Sequence, residues 1–333
     1  RSRGLSGNRQ DLRVKTTRMR GSAQRFRSSS RRRWLDRATP YLFLAPFLIF
    51  FAVFTLYPFI LGFRLSLTEW TGFGDPSPVG FKNYENLITN KSFHRSLRNT
   101  AWIVVAAVVL IVPLALLCAS ALNSKKVKFR AGFRTAFFLP IGTPLVVIAM
   151  VFIVLFDEHY GAINWAFESV GIPRVDFLGE KNFVKPGILL VLVWQWTAVP
   201  MIYFLAGLQG VPQSLYDAAA VDGARKWSTF RNVTAPHLRP IIVLVLILLT
   251  NDAIRLFDQV YVLTFFSGAP GSASGGPGEA GLTLVLYLYR VAFRSRQFGM
   301  GSAIGVTILA MAFVVAFLQL RFTGSLKSSE ERR

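Results

Sequence analysis

The chain has a single cysteine, Cys118, and only three histidines, His94, His159 and His237. One thiol excludes an internal disulfide and leaves redox chemistry without a second sulfur. The histidines fall in three separate polar stretches, so they offer no cluster of metal ligands. No G-x-x-x-x-G-K-[ST] occurs, and with it goes the usual phosphate-cradling loop. Acids are scarce: 17 Asp and Glu face 38 Lys and Arg, a net charge of +21. No Ser-His-Asp set and no pair of carboxylates stands out. The sequence therefore names no catalytic residue and no metal site.

Uncharged apolar sequence is what the chain has in quantity. Residues 41–63, 100–122, 136–156, 187–209 and 300–320 carry no charge. A sixth run, 240–263, is apolar except for Asp252, Arg255 and Asp258. Each run matches the roughly 20 residues that a helix needs to cross a hydrocarbon core of about 30 Å. In lipid every backbone polar group needs an internal partner, which admits helices or closed barrels. A barrel would alternate polar and apolar residues, and these runs do not. The expected fold is all-α, an integral membrane protein of six transmembrane helices.

Lys and Arg set the orientation. With both termini cytoplasmic, the inside segments hold 26 Lys and Arg and the outside loops 11, the bias of the positive-inside rule. Residues 1–39 then read as a basic, disordered cytoplasmic tail, 40–322 as the membrane domain and 323–333 as a second cytoplasmic tail. The basic tail suits anionic lipid headgroups. Nucleic acid is not expected as a partner, because only Phe26 and Trp34 offer stacking rings there. The first apolar run follows a long basic stretch and has full membrane length, so it does not read as a cleavable signal peptide.

One stretch breaks the pattern. "YDAAAVDGARKWSTFRNVTAP", 216–236, is polar and lies on the cytoplasmic side between the fourth and fifth apolar runs. Its local signals spell a helix-turn-helix. Ser214 is the expected N-cap, with Asp217 as its capping-box partner. The alanines propagate the helix and Gly223 offers a left-handed stop. A second short helix is expected over about 226–233, ending before Pro236. Ala218, Ala219 and Val221 give the unit a small inner side. By spacing alone it is a connector or a docking element.

The segment resembles the signature loop of ABC-importer permeases, E-A-A-x-x-x-G-x9-I-x-L-P. Asp217, Ala218, Ala219, Gly223 and Pro236 fall at the matching positions, with Asp217, Val233 and Ala235 replacing Glu, Ile and Leu. The longer form D-A-A-x-x-D-G-A, which includes Asp222, is similar to the carbohydrate branch, the maltose and glycerol-3-phosphate permease type. "LFLAPFLIFFAVFTLYPF", "GFKNYENL", "SLRNT", "FFLP" and "FDQVYVLT" agree with it. The resemblance runs from about residue 40 to 321. It implies a coupling loop, 211–236, that docks on a separate ATPase subunit. It further implies two such ATPase subunits that bind the ATP and Mg, a second permease subunit in a heterodimer, and an extracytoplasmic sugar-binding protein. The location implied is the inner cell membrane of a bacterium or archaeon. This chain itself would be no enzyme and hold no cofactor.

Charges within a membrane-spanning segment are costly and mark candidate functional positions. Asn251, Arg255 and Asp258 are spaced to share one helical stripe, with Asp252 and Gln259 beside Arg255. They read either as a polar lining for a hydroxyl-rich solute or as a self-neutralising packing cluster. By resemblance, sugar contacts also come from the fourth helix, where Trp194, Gln195, Trp196 and Thr197 offer rings, an amide and a hydroxyl. The tryptophans serve equally as bundle packing. The segment 267–281 is a Gly/Ser/Pro-rich outside loop, either a linker or a contact for the binding protein. Gly301 and Gly305 make a small face facing the partner permease or this chain's own bundle. Two other classes compete. A membrane-embedded glycosyl or lipid transferase would need clustered acids or metal ligands at one membrane face. An ion-coupled carrier would show internal repeats with broken helices, and no repeat is visible.

Overall fold

The computed structural model describes residues 30–124, 130–268, 271 and 275–322. By its contacts the chain divides into two units, residues 1–57 and 58–333. The first unit contributes α1, Ser30–Phe51, and a π-helical turn, Ala52–Leu56. The helix already starts at Ser30, inside the tail expected to be disordered. Arg31–Arg33 are good helix formers, and the helix continues through Pro40 into the apolar stretch. Residues 1–29 and the second tail, 323–333, lie outside the described residues.

The rest is helical apart from a two-stranded antiparallel ribbon. In order come α2 (Tyr57–Ser66), β1 (Thr68–Glu69), β2 (Ser77–Pro78), α3 (Lys82–Thr89), α4 (Lys91–Asn123), α5 (Arg130–Gly142), α6 (Leu145–Leu155) and α7 (Ala162–Ser169). Then follow α8 (Val184–Trp196), α9 (Ala198–Gln209), α10 (Gln213–Val221), α11 (Lys226–Thr229), α12 (Ala235–Ile254), α13 (Asp258–Phe266), α14 (Leu284–Tyr289) and α15 (Phe298–Phe322). Among the described residues, four helical stretches are long and apolar enough to cross a membrane: 41–66, 91–123, 226–266 and 298–322. A fifth is the pair α8 and α9, bent by 41°. The third expected run, 136–156, is not one helix. It breaks at Thr143–Pro144 into α5 and α6, because Pro144 takes an extended ψ of 136° and caps α6 instead of continuing α5.

Helix α4 is the central post. Ile103, Ala107, Ile111, Ala115 and Ala119 recur every fourth residue and are all fully buried, one stripe of its surface. The small alanines let α9 and α12 come close. Where those two meet, a Cβ on Gly207 would lie 2.2 Å from Ile241 Cδ1, so any larger residue would force the Ile241 and Leu238 side chains to shift. Gly301 plays the same part: a Cβ there would lie 2.6 Å from Ala292 Cβ. That small face therefore packs within this chain's own bundle.

One expected helix stop is absent. Pro236 does not end the helix before it: α11 passes through a π-helical turn, Phe230–Thr234, straight into α12. The π turn widens the spiral at the point where the proline ring would strike a carbonyl one turn back, and it absorbs the missing N–H. Pro58 follows the π turn of the first apolar run in the same way.

The loop 267–281 is tied down at its end. Glu279 holds a left-handed φ of 57°. Its carboxylate accepts from Arg290 Nη1 at 2.7 Å, Arg95 Nη1 at 2.8 Å and Ser92 Oγ at 3.1 Å. Asn99 Nδ2 donates to the carbonyls of Glu279 and Leu282. Burial pushes the Glu279 carboxyl up, but Arg290, Ser92 and Arg95 outweigh it and hold the group below the ordinary carboxylate range. The anchor is thus fully present above that range and lost only as pH falls through the lowered value. Residues 269–270 and 272–274 of this loop lie outside the described residues.

Candidate functional site

Three membrane helices break, and the breaks face shared cavities. The first break is Thr143–Pro144. The second is at Thr197, whose hydroxyl donates to the Val193 carbonyl while Pro200 withholds an N–H from the turn before it. The third interrupts the fifth apolar run: Arg255 closes α12, and Phe257, with φ −135° and ψ −61°, precedes α13. Its freed Leu256 carbonyl accepts from Thr283 Oγ1 at 2.9 Å. Irregular backbone at membrane depth is tolerated where protein or a cavity surrounds it.

A cavity of about 470 Å³ is lined by Thr143, Pro144, Gln195, Trp196, Tyr203 and Asp252, among others. A second, of about 360 Å³, is lined by Arg255, Leu256, Phe257, Asp258 and Gln259. The two share Leu145, Trp196 and Asp252 as walls. Between them Gln259 Nε2 donates to Gln195 Oε1 at 3.2 Å, both side chains being buried. The structure thus brings together Gln195, Trp196, Asp252, Arg255 and Asp258 of the expected residues.

It separates others. Trp194 and Thr197 line a different cavity of about 650 Å³ with Cys118, Phe137 and Phe152, and the Trp194 ring packs edge-on to Phe152 at 5.5 Å. Asn251 is half-buried and lines neither of the two shared cavities. The expected stripe Asn251–Arg255–Asp258 does not form, because α12 ends at Ile254 and the helical register is lost before Asp258. Arg255 pairs with Asp252 at 3.8 Å, both well exposed. Asp258 makes no ion pair among the described residues and sits instead in the first turn of α13, where the helix dipole favours an acid. Thr143, Pro144, Tyr203 and Gln259 complete the walls. Pro144 was the one local signal for the first break; the others reach the cavity through tertiary packing.

The polar segment forms α10 and α11. Ser214 is not the N-cap. Pro212 holds that place without a side-chain bond, and Asp217 accepts from Gln213 Nε2 at 3.0 Å, one turn away. The stop at Gly223 is as expected, with φ 67°. Ala224 N donates to Ala219 O and Gly223 N to Ala220 O, the Schellman pair that satisfies the last carbonyls. No residue of α10 is buried. Val221, expected on an inner side, is 88% exposed, and Trp227, stacked on Phe230 at 5.5 Å, is 72% exposed. Tyr216 and Thr234 tie the element to the π turn through their hydroxyls, 3.2 Å apart. Pro236 lies beyond that turn on α12, and Asp222 closes α10 just before Gly223.

Comparison with known proteins gives the family. Residues 111–327 match the family described as binding-protein-dependent transport system inner membrane component. The arabinooligosaccharides transport system permease protein AraP of Bacillus subtilis is 36% identical over 87% of this chain and 90% of its own length. The lactose transport system permease protein LacF of Rhizobium radiobacter is 34% identical over 87% and 95%. The trehalose/maltose transport system permease protein MalF of Thermococcus litoralis is 31% identical over 88% and 96%. In fold, the chain is similar to one from a bacterial ABC transporter involved in import of the acidic polysaccharide alginate. The TM-score is 0.75 at 21% identity, covering 89% of this chain and 98% of that one. This chain, with its membrane-length helices broken around shared cavities, belongs to the binding-protein-dependent transport system inner membrane component family.

Proposed function

We propose that this chain is the transmembrane permease subunit of an ATP-driven, binding-protein-dependent sugar importer. Family membership supports the transport role, and the sugar follows the names of the relatives. The observation that carries the coupling role is α10, a nine-residue helix with nothing buried, closed by a left-handed glycine between two membrane-length segments. A helix that buries nothing in its own chain gains its stability from a partner. That partner is an ATPase subunit, which docks on the loop 211–236 through Asp217, Ala218, Ala219, Asp222, Gly223 and the turn before Pro236. ATP and Mg bind to two such subunits. Their closure favours one permease conformation and hydrolysis the other.

The chain crosses the inner membrane six times, α5 and α6 together forming the third span, with both termini cytoplasmic. Residues 40–322 are the membrane domain between tails 1–39 and 323–333. A second permease subunit supplies the other half of the path, and an extracytoplasmic binding protein delivers the sugar. Gln195, Trp196, Asp252, Arg255 and Asp258 line this chain's half. Trp194, Thr197 and Asn251 stand outside that lining and pack the bundle around it. The transferase and the solitary carrier give way to family membership.

Vesicles holding the complex are expected to take up labelled sugar only with both ATP and binding protein. Uptake driven by an ion gradient alone would overturn the reading. Orientation has its own test. A cysteine at Ser169, exposed on α7, is expected to react with an impermeant thiol reagent added outside the cell. A cysteine at Ser124, at the end of α4, is expected to stay unlabelled. The reverse pattern would invert the topology.

A further inference from the structure

A polar cleft far along the chain from the helix breaks has no part in the function proposed above. It lies between the end of α2, the ribbon, α3 and the start of α15, and encloses about 390 Å³. Its walls include Trp70, Asn83, Asn86, Ser295, Gln297 and Met300. The volume falls in the range of roughly 300–1,000 Å³ usual for small-ligand pockets.

The walls are fixed from behind. Phe298 N and Gly299 N both donate to the Trp70 carbonyl, at 2.9 and 3.3 Å. A Cβ on Gly299 would lie 1.9 Å from the Thr68 carbonyl oxygen, so the two backbones touch. Asn83 spends both amide hydrogens, on Ser66 O at 2.9 Å and Thr68 O at 2.8 Å. Two carbonyl acceptors leave no doubt which end of the amide is nitrogen. Its Oδ1 has no donor among the described residues, although the side chain is only 8% exposed. No fully enclosed side-chain polar atom is left unpartnered among the described residues. The Oδ1 is therefore not fully enclosed, and Asn83 is one of the residues that line the cleft.

Other groups converge there without partners. The Asn86 and Gln297 carboxamides make no hydrogen bond among the described residues. Between Ser295 and Gln297, Arg296 is held at φ 54°, a conformation that costs a non-glycine residue energy and persists only where surroundings impose it. At the rim Lys82 and Glu69 stand 3.9 Å apart and cancel in charge.

The chemistry of the walls selects the occupant. Free carboxamides both donate and accept, as ligand hydroxyls do. Trp70 and Met300 give apolar surface for C–H faces. An anion would meet Glu69 and no net positive charge, and an acyl chain would leave four amide and hydroxyl groups dry. We propose that this cleft is a second carbohydrate site, binding a neutral mono- or disaccharide unit apart from the translocation cavities. Its placement on the extracytoplasmic face, and the choice of sugars as probes, rest on the function proposed above.

The test uses the purified whole complex without its binding protein, and saturation-transfer NMR with lactose, trehalose and an arabinooligosaccharide. Wild type is expected to give transfer with at least one of them. The double variant Asn86→Ala, Gln297→Ala is expected to bind that sugar roughly tenfold more weakly, the scale of one or two lost hydrogen bonds. Gln195→Ala, in the inner cavity, is expected to retain the signal. Trp70→Phe keeps a ring in the wall and is expected to weaken binding too, which supplies the readout should the double variant fail to assemble. No transfer at tens of millimolar sugar would overturn the proposal. So would a signal lost only with Gln195→Ala, or a double variant that binds the sugar as tightly as wild type does. Co-purification of the ATPase, scored on the same preparation, shows separately whether the importer assignment stands.

Discussion

Gly223→Trp is expected to give a complex that inserts at the wild-type level and imports no sugar. The physical reason is specific to this position. Gly223 holds φ 67°, and nothing lies within 4 Å of where its Cβ would be. A Cβ there therefore meets no other part of this chain. It costs about 1–2 kcal/mol of left-handed backbone strain, too little to unfold a membrane bundle. The larger effect is expected on the exposed surface proposed to dock, beside Asp217, Ala218 and Ala219. Gly223→Ala separates the two effects. It carries the backbone strain without the bulk and is expected to keep much of the uptake. Normal uptake by the tryptophan variant, at normal abundance in the membrane, would remove the loop from the coupling role.

The second large effect is expected from the triple variant Asp252→Asn, Arg255→Gln, Asp258→Asn. It removes the charges but keeps shape and hydrogen-bonding groups. Asp252 and Arg255 are well exposed to the cavities, and Asp258 has no ion-pair partner among the described residues. A cluster that merely glued helices would be buried and paired, and neutralising it whole would be nearly neutral. This variant is therefore expected to assemble with the ATPase as wild type does. Its binding-protein-stimulated uptake is expected to fall at least about tenfold, or its sugar preference to change, the scale of one lost polar contact to the solute. Labelled sugars in vesicles measure both. Unchanged uptake and selectivity would confine the charges to packing and shift the lining to Gln195 and Gln259.

Some of this was legible in the sequence, and the reason differs from element to element. The stretches 91–123 and 298–322 could be read because lipid demands an unbroken apolar helix and nothing else. Gly223 could be read because a left-handed stop is a local property of one residue. The capping at Ser214 was misread because Pro212 already caps the helix two residues earlier. Pro236 was misread because the local rule takes an α-helix as the alternative, and here a π turn relieves the ring. The break at Arg255–Phe257 has neither glycine nor proline to announce it. Its carbonyl is satisfied by Thr283, from another element, and with that break the expected charged stripe was lost. The open Oδ1 of Asn83 was equally hidden, since the carbonyls that occupy its amide belong to Ser66 and Thr68. Periodicity finds helices. It does not find where three of them break around one space.

The most direct measurement of the coupling assignment is co-purification. The tagged chain, extracted from native membranes in mild detergent, is expected to bring down an ATPase subunit and a second permease in fixed proportion. With a cysteine at Asp217, on the exposed face of α10, a short thiol crosslinker is expected to join this chain to that ATPase. A chain recovered alone, active in uptake, and with Asp217→Cys crosslinking to no ATPase, would contradict the assignment outright.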